Sequence, residues 1–168
     1  MSVNNWLNKK VKEYNQEKID LSILKDLILD LEISIPKKII SIVGTNGKGS
    51  TANLISKILK DNSHSVGLYT SPHLINYNER IDINGININD EVLKEYFSKI
   101  EKKINTRKLN FYQMLSLTAF KYFSDNKLDI WVLEAGLGGR LDPINCFDAY
   151  LSIITNISLD HQEILGLS

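Results

Sequence analysis

Short apolar runs rich in β-branched residues alternate with amphipathic stretches along most of this chain. Ile39-Ile40-Ser41-Ile42-Val43, Ser65 to Tyr69, Asp129-Ile130-Trp131-Val132-Leu133 and Ala149 to Ile154 each read as a strand. Between them, Ala52 to Lys60 carries Leu54, Ile55, Ile58 and Leu59 at helical spacing. Asn89 to Ile104 turns Val92, Leu93, Tyr96, Phe97 and Ile100 to one side, and Phe111 to Phe123 does the same with Leu115, Ala119 and Phe123. Ahead of the first strand, Ile19 to Leu31 lines up Leu21, Leu24, Leu27, Ile28 and Leu31, with Asp20 placed to cap the helix and Pro36 to break the chain. Glu79 to Ile86 alternates about Asn84-Gly85, the pair that a tight hairpin turn demands. Strands alternating with helices predict an α/β fold, a mainly parallel sheet flanked by helices.

Composition narrows this picture only a little. A chain of 168 residues with 43 % hydrophobic content can bury one substantial core, which predicts one domain. Basic and acidic residues balance at 20 each, so charge gives no reason to expect nucleic acid or an anionic membrane as partner. Cys146 is the lone cysteine, which excludes an intrachain disulfide and a cysteine-based metal cluster. Met1 to Lys12 is polar and does not read as a secretory signal, and no stretch approaches a membrane span. These features predict a cytoplasmic protein.

The chemistry concentrates where the first strand ends. Gly44-Thr45-Asn46-Gly47-Lys48-Gly49-Ser50-Thr51 lies between that strand and the following helix. Glycines let backbone N–H groups approach an anion closely, and the free N–H groups of a helix start point at it. Lys48 adds a mobile positive charge for outer phosphates, and Ser50 or Thr51 offers a hydroxyl to magnesium. A plain strand-to-helix turn would not need three glycines around one lysine. The general P-loop pattern spaces its lysine further from the first glycine and follows it directly with Ser or Thr, whereas Gly49 intervenes here. Two further features belong to the same edge of a parallel sheet. Ser71, in Thr70-Ser71-Pro72-His73-Leu74, sets a hydroxyl at the end of the second strand. Glu134 closes the third, placed to hold magnesium directly or through water, and Gly136-Leu137-Gly138-Gly139-Arg140-Leu141-Asp142 follows it at once.

The loop at Gly44 to Thr51 resembles that of the Mur-ligase superfamily, and its Lys-Gly-Ser ending resembles the folylpolyglutamate synthase and dihydrofolate synthase branch. Thr-Ser-Pro-His-Leu, Asn-Glu-Arg-Ile and Asn-Gly match that branch in type and order, as does Glu134-x-Gly-Leu-Gly-Gly-Arg-Leu-Asp142. The resemblance covers essentially all of Ile19 to Gly166. It implies the ATP-binding domain, residues 1–168, of a longer ligase whose C-terminal glutamate-ligase domain lies outside this sequence. Such an enzyme uses ATP and Mg2+ to join L-glutamate to dihydropteroate or a folate through an acyl phosphate, and is expected to be a monomer when full length. The implied nucleotide contacts are Gly44 to Thr51, with Lys48, Glu134 and His161 catalytic and Ser71, Glu134 and His161 as metal ligands. Pteroate contacts carry over to Ile19, Asp20, Leu21 and Ser22, to Asn110, Phe111, Tyr112 and Gln113, and to Arg140, Leu141, Asp142 and Pro143. Ser22 stands where the branch usually has glycine, Gln113 where an acidic residue is common, and Ile144 where a threonine is usual. A Mur ligase acting on a UDP-linked sugar and a non-catalytic nucleotide-binding module are the alternatives.

Overall fold

The computed structural model describes residues 2–15, 20–159 and 162–166. Two helices, α1 (Val3–Glu13) and α2 (Leu21–Asp30), lead into strand β1 (Lys38–Val43). Helix α3 (Lys48–Asp61), β2 (Val66–Tyr69) and the hairpin β3 (Ile81–Ile83) and β4 (Ile86–Asn87) follow. The chain continues through α4 (Asp90–Ile104), α5 (Phe111–Asp125), β5 (Ile130–Glu134), β6 (Leu151–Ile154) and the short α6 (Gln162–Leu165). One six-stranded sheet has the order β4-β3-β2-β5-β1-β6. Strands β1, β2, β5 and β6 run parallel, while β3 pairs antiparallel with both β2 and β4. All four parallel strands therefore present their carboxyl ends to one rim.

Side-chain alternation divides the core into two layers. Ile40, Ile42, Val66, Leu68, Ile130 and Val132 face α3 through Ala52. The opposite face is larger, with Ile39, Tyr69, Trp131 and Leu133 meeting the apolar sides of α1, α2, α4 and α5. Trp131 stacks parallel to Phe120 at 6.0 Å and meets Phe147 edge-on at 5.6 Å. Gly67 is needed behind this aromatic group, because a Cβ there would lie 2.8 Å from both Leu128 Cδ1 and Phe123 Cγ. Gly67→Ala should overpack the layer and cost about 1–3 kcal/mol, read as a lower denaturation midpoint.

Several expectations need adjustment. Helix α3 begins at Lys48, inside the glycine motif, so the loop proper is Gly44 to Gly47. Its apolar spacing is only half used: Ile55 and Leu59 pack on the sheet, while Leu54 and Ile58 are 60 % and 51 % exposed. Glu79 and Arg80 belong to a 3-10 turn, Tyr77–Arg80, and the hairpin starts only at Ile81. Asn84 and Gly85 do form its turn, with φ of 54° and 80°, the left-handed pair that matches strand twist. Asp20 caps α2 by accepting from Ser22 N at 2.9 Å. Helix α1 was not expected. Ser2 caps it, Val3 and Leu7 are buried, and Trp6 meets Phe97 edge-on at 5.3 Å. The spacing of Val3, Trp6 and Leu7 is the signal for it, short and set among polar residues.

Candidate functional site

Gly44 turns with φ 133°, and a Cβ there would run into Thr155 and Asn156. This close approach lets the loop fasten to the segment after β6. Thr45 N donates to Asn156 O at 3.0 Å, Asn46 N to Asn156 Oδ1 at 2.8 Å, and Thr45 Oγ1 to Ser158 O at 3.1 Å. Lys48 folds back over the loop, its Nζ donating to Gly44 O at 2.8 Å and Thr45 O at 3.0 Å. Those carbonyls hold the ammonium at the mouth of the helix N-terminus, where an anion would replace them as partner.

Glu134, only 3 % exposed at the end of β5, accepts from Ser71 N at 2.9 Å. Gly49, at the start of α3, faces this carboxylate: a Cβ there would lie 3.4 Å from Glu134 Oε2, an ordinary van der Waals contact. Burial pushes the Glu134 carboxyl above its usual range, opposed by the Ser71 N–H and by the charges of Lys48 and Arg80. A crevice of about 360 Å³ is lined by the loop from Thr45 to Ser50 together with Thr70, Ser71 and Glu134.

The donors in this crevice suit a hard divalent cation. Ser71 Oγ is buried with no hydrogen-bond partner, and Glu134 keeps carboxylate lone pairs beyond its one backbone donor. Magnesium accepts such oxygens and retains its waters for the rest. Among the described residues no group of three or more His, Cys, Asp or Glu side chains is placed to hold a metal. His161, the third expected ligand, lies outside the described residues, as does Ile19.

Beside the crevice, and sharing Ser71 and Pro72 with it, opens a mainly apolar cavity of about 480 Å³. Asn110, Tyr112, Asp142 and Pro143, four of the expected acceptor contacts, line it with Arg80 and Leu137. Tyr112 Oη is buried without a hydrogen-bond partner. The remaining expected contacts lie elsewhere. Gln113 is buried in a capping box with Asn110, each side chain accepting the other's backbone N–H. Phe111 packs on Tyr77 and Phe97. Arg140 and Leu141 are exposed, and Leu21 sits beside the 3-10 turn Pro143–Cys146, its carbonyl accepting from Cys146 Sγ at 3.9 Å. Burial pushes the Cys146 thiol up to about 11, which disfavours its thiolate form at neutral pH.

Asp142, 2 % exposed, organises its own loop by accepting from Gly136 N at 2.8 Å, Leu137 N at 3.2 Å and Ile144 N at 3.1 Å. Burial pushes its carboxyl up to about 6 despite these three donors. The folded chain thus binds this proton more tightly than the unfolded chain. The resulting stability is present in full below pH about 4 and is lost as pH rises to about 6. Asp142→Asn should remove that loss. Relative to the parent, its denaturation free energy should gain about 2–3 kcal/mol between pH 4 and pH 7, whatever its offset at pH 4.

The Mur ligase middle domain family matches residues 42–167. The chain belongs to that family. One relative of this Mur ligase middle domain is the dihydrofolate synthase/folylpolyglutamate synthase of Buchnera aphidicola subsp. Acyrthosiphon pisum, 40 % identical over 98 % of this chain and 40 % of its own length. E. coli FolC in complex with DHPP and ADP superposes with a TM-score of 0.94 at 30 % identity, over 100 % of this chain and 41 % of FolC. A bifunctional folylpolyglutamate synthase/dihydrofolate synthase with Mn, AMPPNP and L-glutamate bound gives 0.90 at 34 % identity, again over 100 % and 41 %. The chain therefore spans about two fifths of these proteins. No helix among the described residues is long and apolar enough to cross a membrane.

The loop, Ser71, Glu134 and the apolar cavity of this Mur ligase middle domain are thus brought to one rim. Arg80 and His73 were not expected there. Arg80 stood in Glu79 to Ile86, which reads as a hairpin, and His73 in Thr70-Ser71-Pro72-His73-Leu74, where Ser71 drew the reading.

Proposed function

We propose that residues 1–168 form the ATP-binding domain of a ligase that joins L-glutamate to the carboxylate of dihydropteroate or a reduced folate. The observation that carries this reading is the shared wall at Ser71, where a phosphate and metal crevice opens onto an apolar cavity of aryl dimensions. Relatives solved with ADP, AMPPNP, Mn, L-glutamate and DHPP support it.

A carboxylate is a poor acyl donor because its oxide leaves badly. Transfer of the γ-phosphoryl of ATP to a carboxylate oxygen gives an acyl phosphate and ADP. The glutamate amine then attacks the carbonyl carbon, phosphate leaves with the C–O electron pair, and the amine proton is lost to solvent. The loop N–H groups and Lys48 hold the β- and γ-phosphates, and the cavity wall at Tyr112 and Pro143 orients the aryl body of the acceptor. Ser71 and Glu134 would hold Mg2+, which neutralises phosphate charge when bound, and His161 would supply a second magnesium site. The pocket is one wall of a cleft, so water would reach an acyl phosphate formed on this chain alone.

Calorimetric titration with AMPPNP, with and without Mg2+, tests the nucleotide site; magnesium-enhanced binding is expected. Titration with pteroate and with a UDP-linked sugar then tests the acceptor. Preference for the sugar, or no magnesium-dependent nucleotide binding, would overturn the proposal.

A further inference from the structure

Arg80 enters the acceptor cavity from the 3-10 turn ahead of β3, and among the described residues no carboxylate pairs with it. Its Nε donates to His73 Nδ1 at 2.9 Å, which requires neutral His73 with its proton on Nε2. With Nε engaged, the two terminal nitrogens remain as the planar fork that a carboxylate meets with two parallel hydrogen bonds. The guanidinium carbon lies 5.7 Å from the Tyr77 ring centroid, and the His73 ring packs on the same ring at 4.2 Å. Tyr77 is itself anchored to α1, donating its hydroxyl to Asn8 Oδ1 at 2.9 Å and its N–H to Asn4 Oδ1 at 3.2 Å. Arg80 is therefore held in place before any ligand arrives.

Arg80 is half-buried at a mainly apolar cavity, where an anion could take up the two hydrogen bonds its terminal nitrogens offer. Its position is also informative. Arg80 lines the cavity together with Ser71 and Pro72, the two residues that the cavity shares with the phosphate crevice. That is where the reacting end of an aryl carboxylate must lie if its body fills the cavity.

We propose that Arg80 binds the acceptor's carboxylate through its terminal nitrogens, and that His73 is the positioning residue that fixes the guanidinium in that pose. The proposal rests on the acceptor reading above and deepens it by naming the group that recognises the carboxylate.

The test is equilibrium binding of pteroate, and of the same pterin-aryl compound lacking its carboxylate, to the 168-residue chain and its variants. Arg80→Gln should weaken pteroate binding about 10- to 100-fold and leave the carboxylate-free compound and AMPPNP within about twofold. Arg80→Lys should fall between. His73→Leu should weaken pteroate binding several-fold, His73→Asn, which keeps an acceptor, should restore much of it, and His73→Leu should have no further effect once Arg80 is Gln. A purely structural role would weaken both compounds alike and overturn the proposal. Equal pteroate affinity in the parent and Arg80→Gln would overturn it too, leaving the acceptor reading intact. Failure of the parent chain to bind pteroate would overturn the acceptor reading and this inference together.

Discussion

Lys48→Ala is expected to cost about 3 kcal/mol or more of phosphate stabilisation while the fold survives. Nothing in the core depends on this side chain, whose Nζ partners are the carbonyls of Gly44 and Thr45. The loop's shape is held instead by Thr45 and Asn46 bonding to Asn156 and Ser158. Removing the ammonium should leave the N–H cradle standing without the charge that complements the outer phosphates. AMPPNP affinity and the thermal midpoint, measured on the same samples, separate the two effects. A variant that binds AMPPNP as the parent does would remove Lys48 from phosphate handling.

The second large effect is expected at Glu134. Glu134→Gln keeps the shape of the side chain and can still accept from Ser71 N–H, but it presents an amide donor where the carboxylate offered lone pairs. Burial already pushes the parent carboxyl up, so the neutral variant should fold at least as well at neutral pH. Metal dependence should suffer. The gain in AMPPNP affinity on adding Mg2+ should shrink by at least the roughly 10- to 100-fold that even an outer-shell partner commands. An undiminished magnesium effect would place the cation away from Glu134.

How far the sequence could be read depended on whether a feature was local. The strands were legible because β-branched runs such as Ile39 to Val43 bury on both faces whatever surrounds them, and Asp20 and Asn84-Gly85 act within a turn or two of themselves. Helix faces were less so. Leu54 and Ile58 share the spacing of Ile55 and Leu59, but the sheet covers only the latter pair. At the site, the glycine loop, Ser71 and Glu134 were readable as strand-end chemistry. Asp142 was expected to meet an acceptor, and its three backbone donors arise only from how the loop closes. Arg80 escaped because its partner, His73, and the ring that both rest on, Tyr77, come together only in three dimensions.

The fastening of the nucleotide loop to the segment after β6 has a thermodynamic consequence. Asn46 and Asn156 are 110 positions apart, so the loop acquires its shape only when a long-range closure has been made. The strand leading to that contact, β6, is paired among the described residues on one side, with β1, and carries mostly exposed side chains. Such an edge opens more readily than the centre of the sheet. A ligand that requires the finished loop must favour the closed edge by the same free energy with which the closed edge favours the ligand. Nucleotide occupancy and the integrity of β6 are therefore one coupled equilibrium.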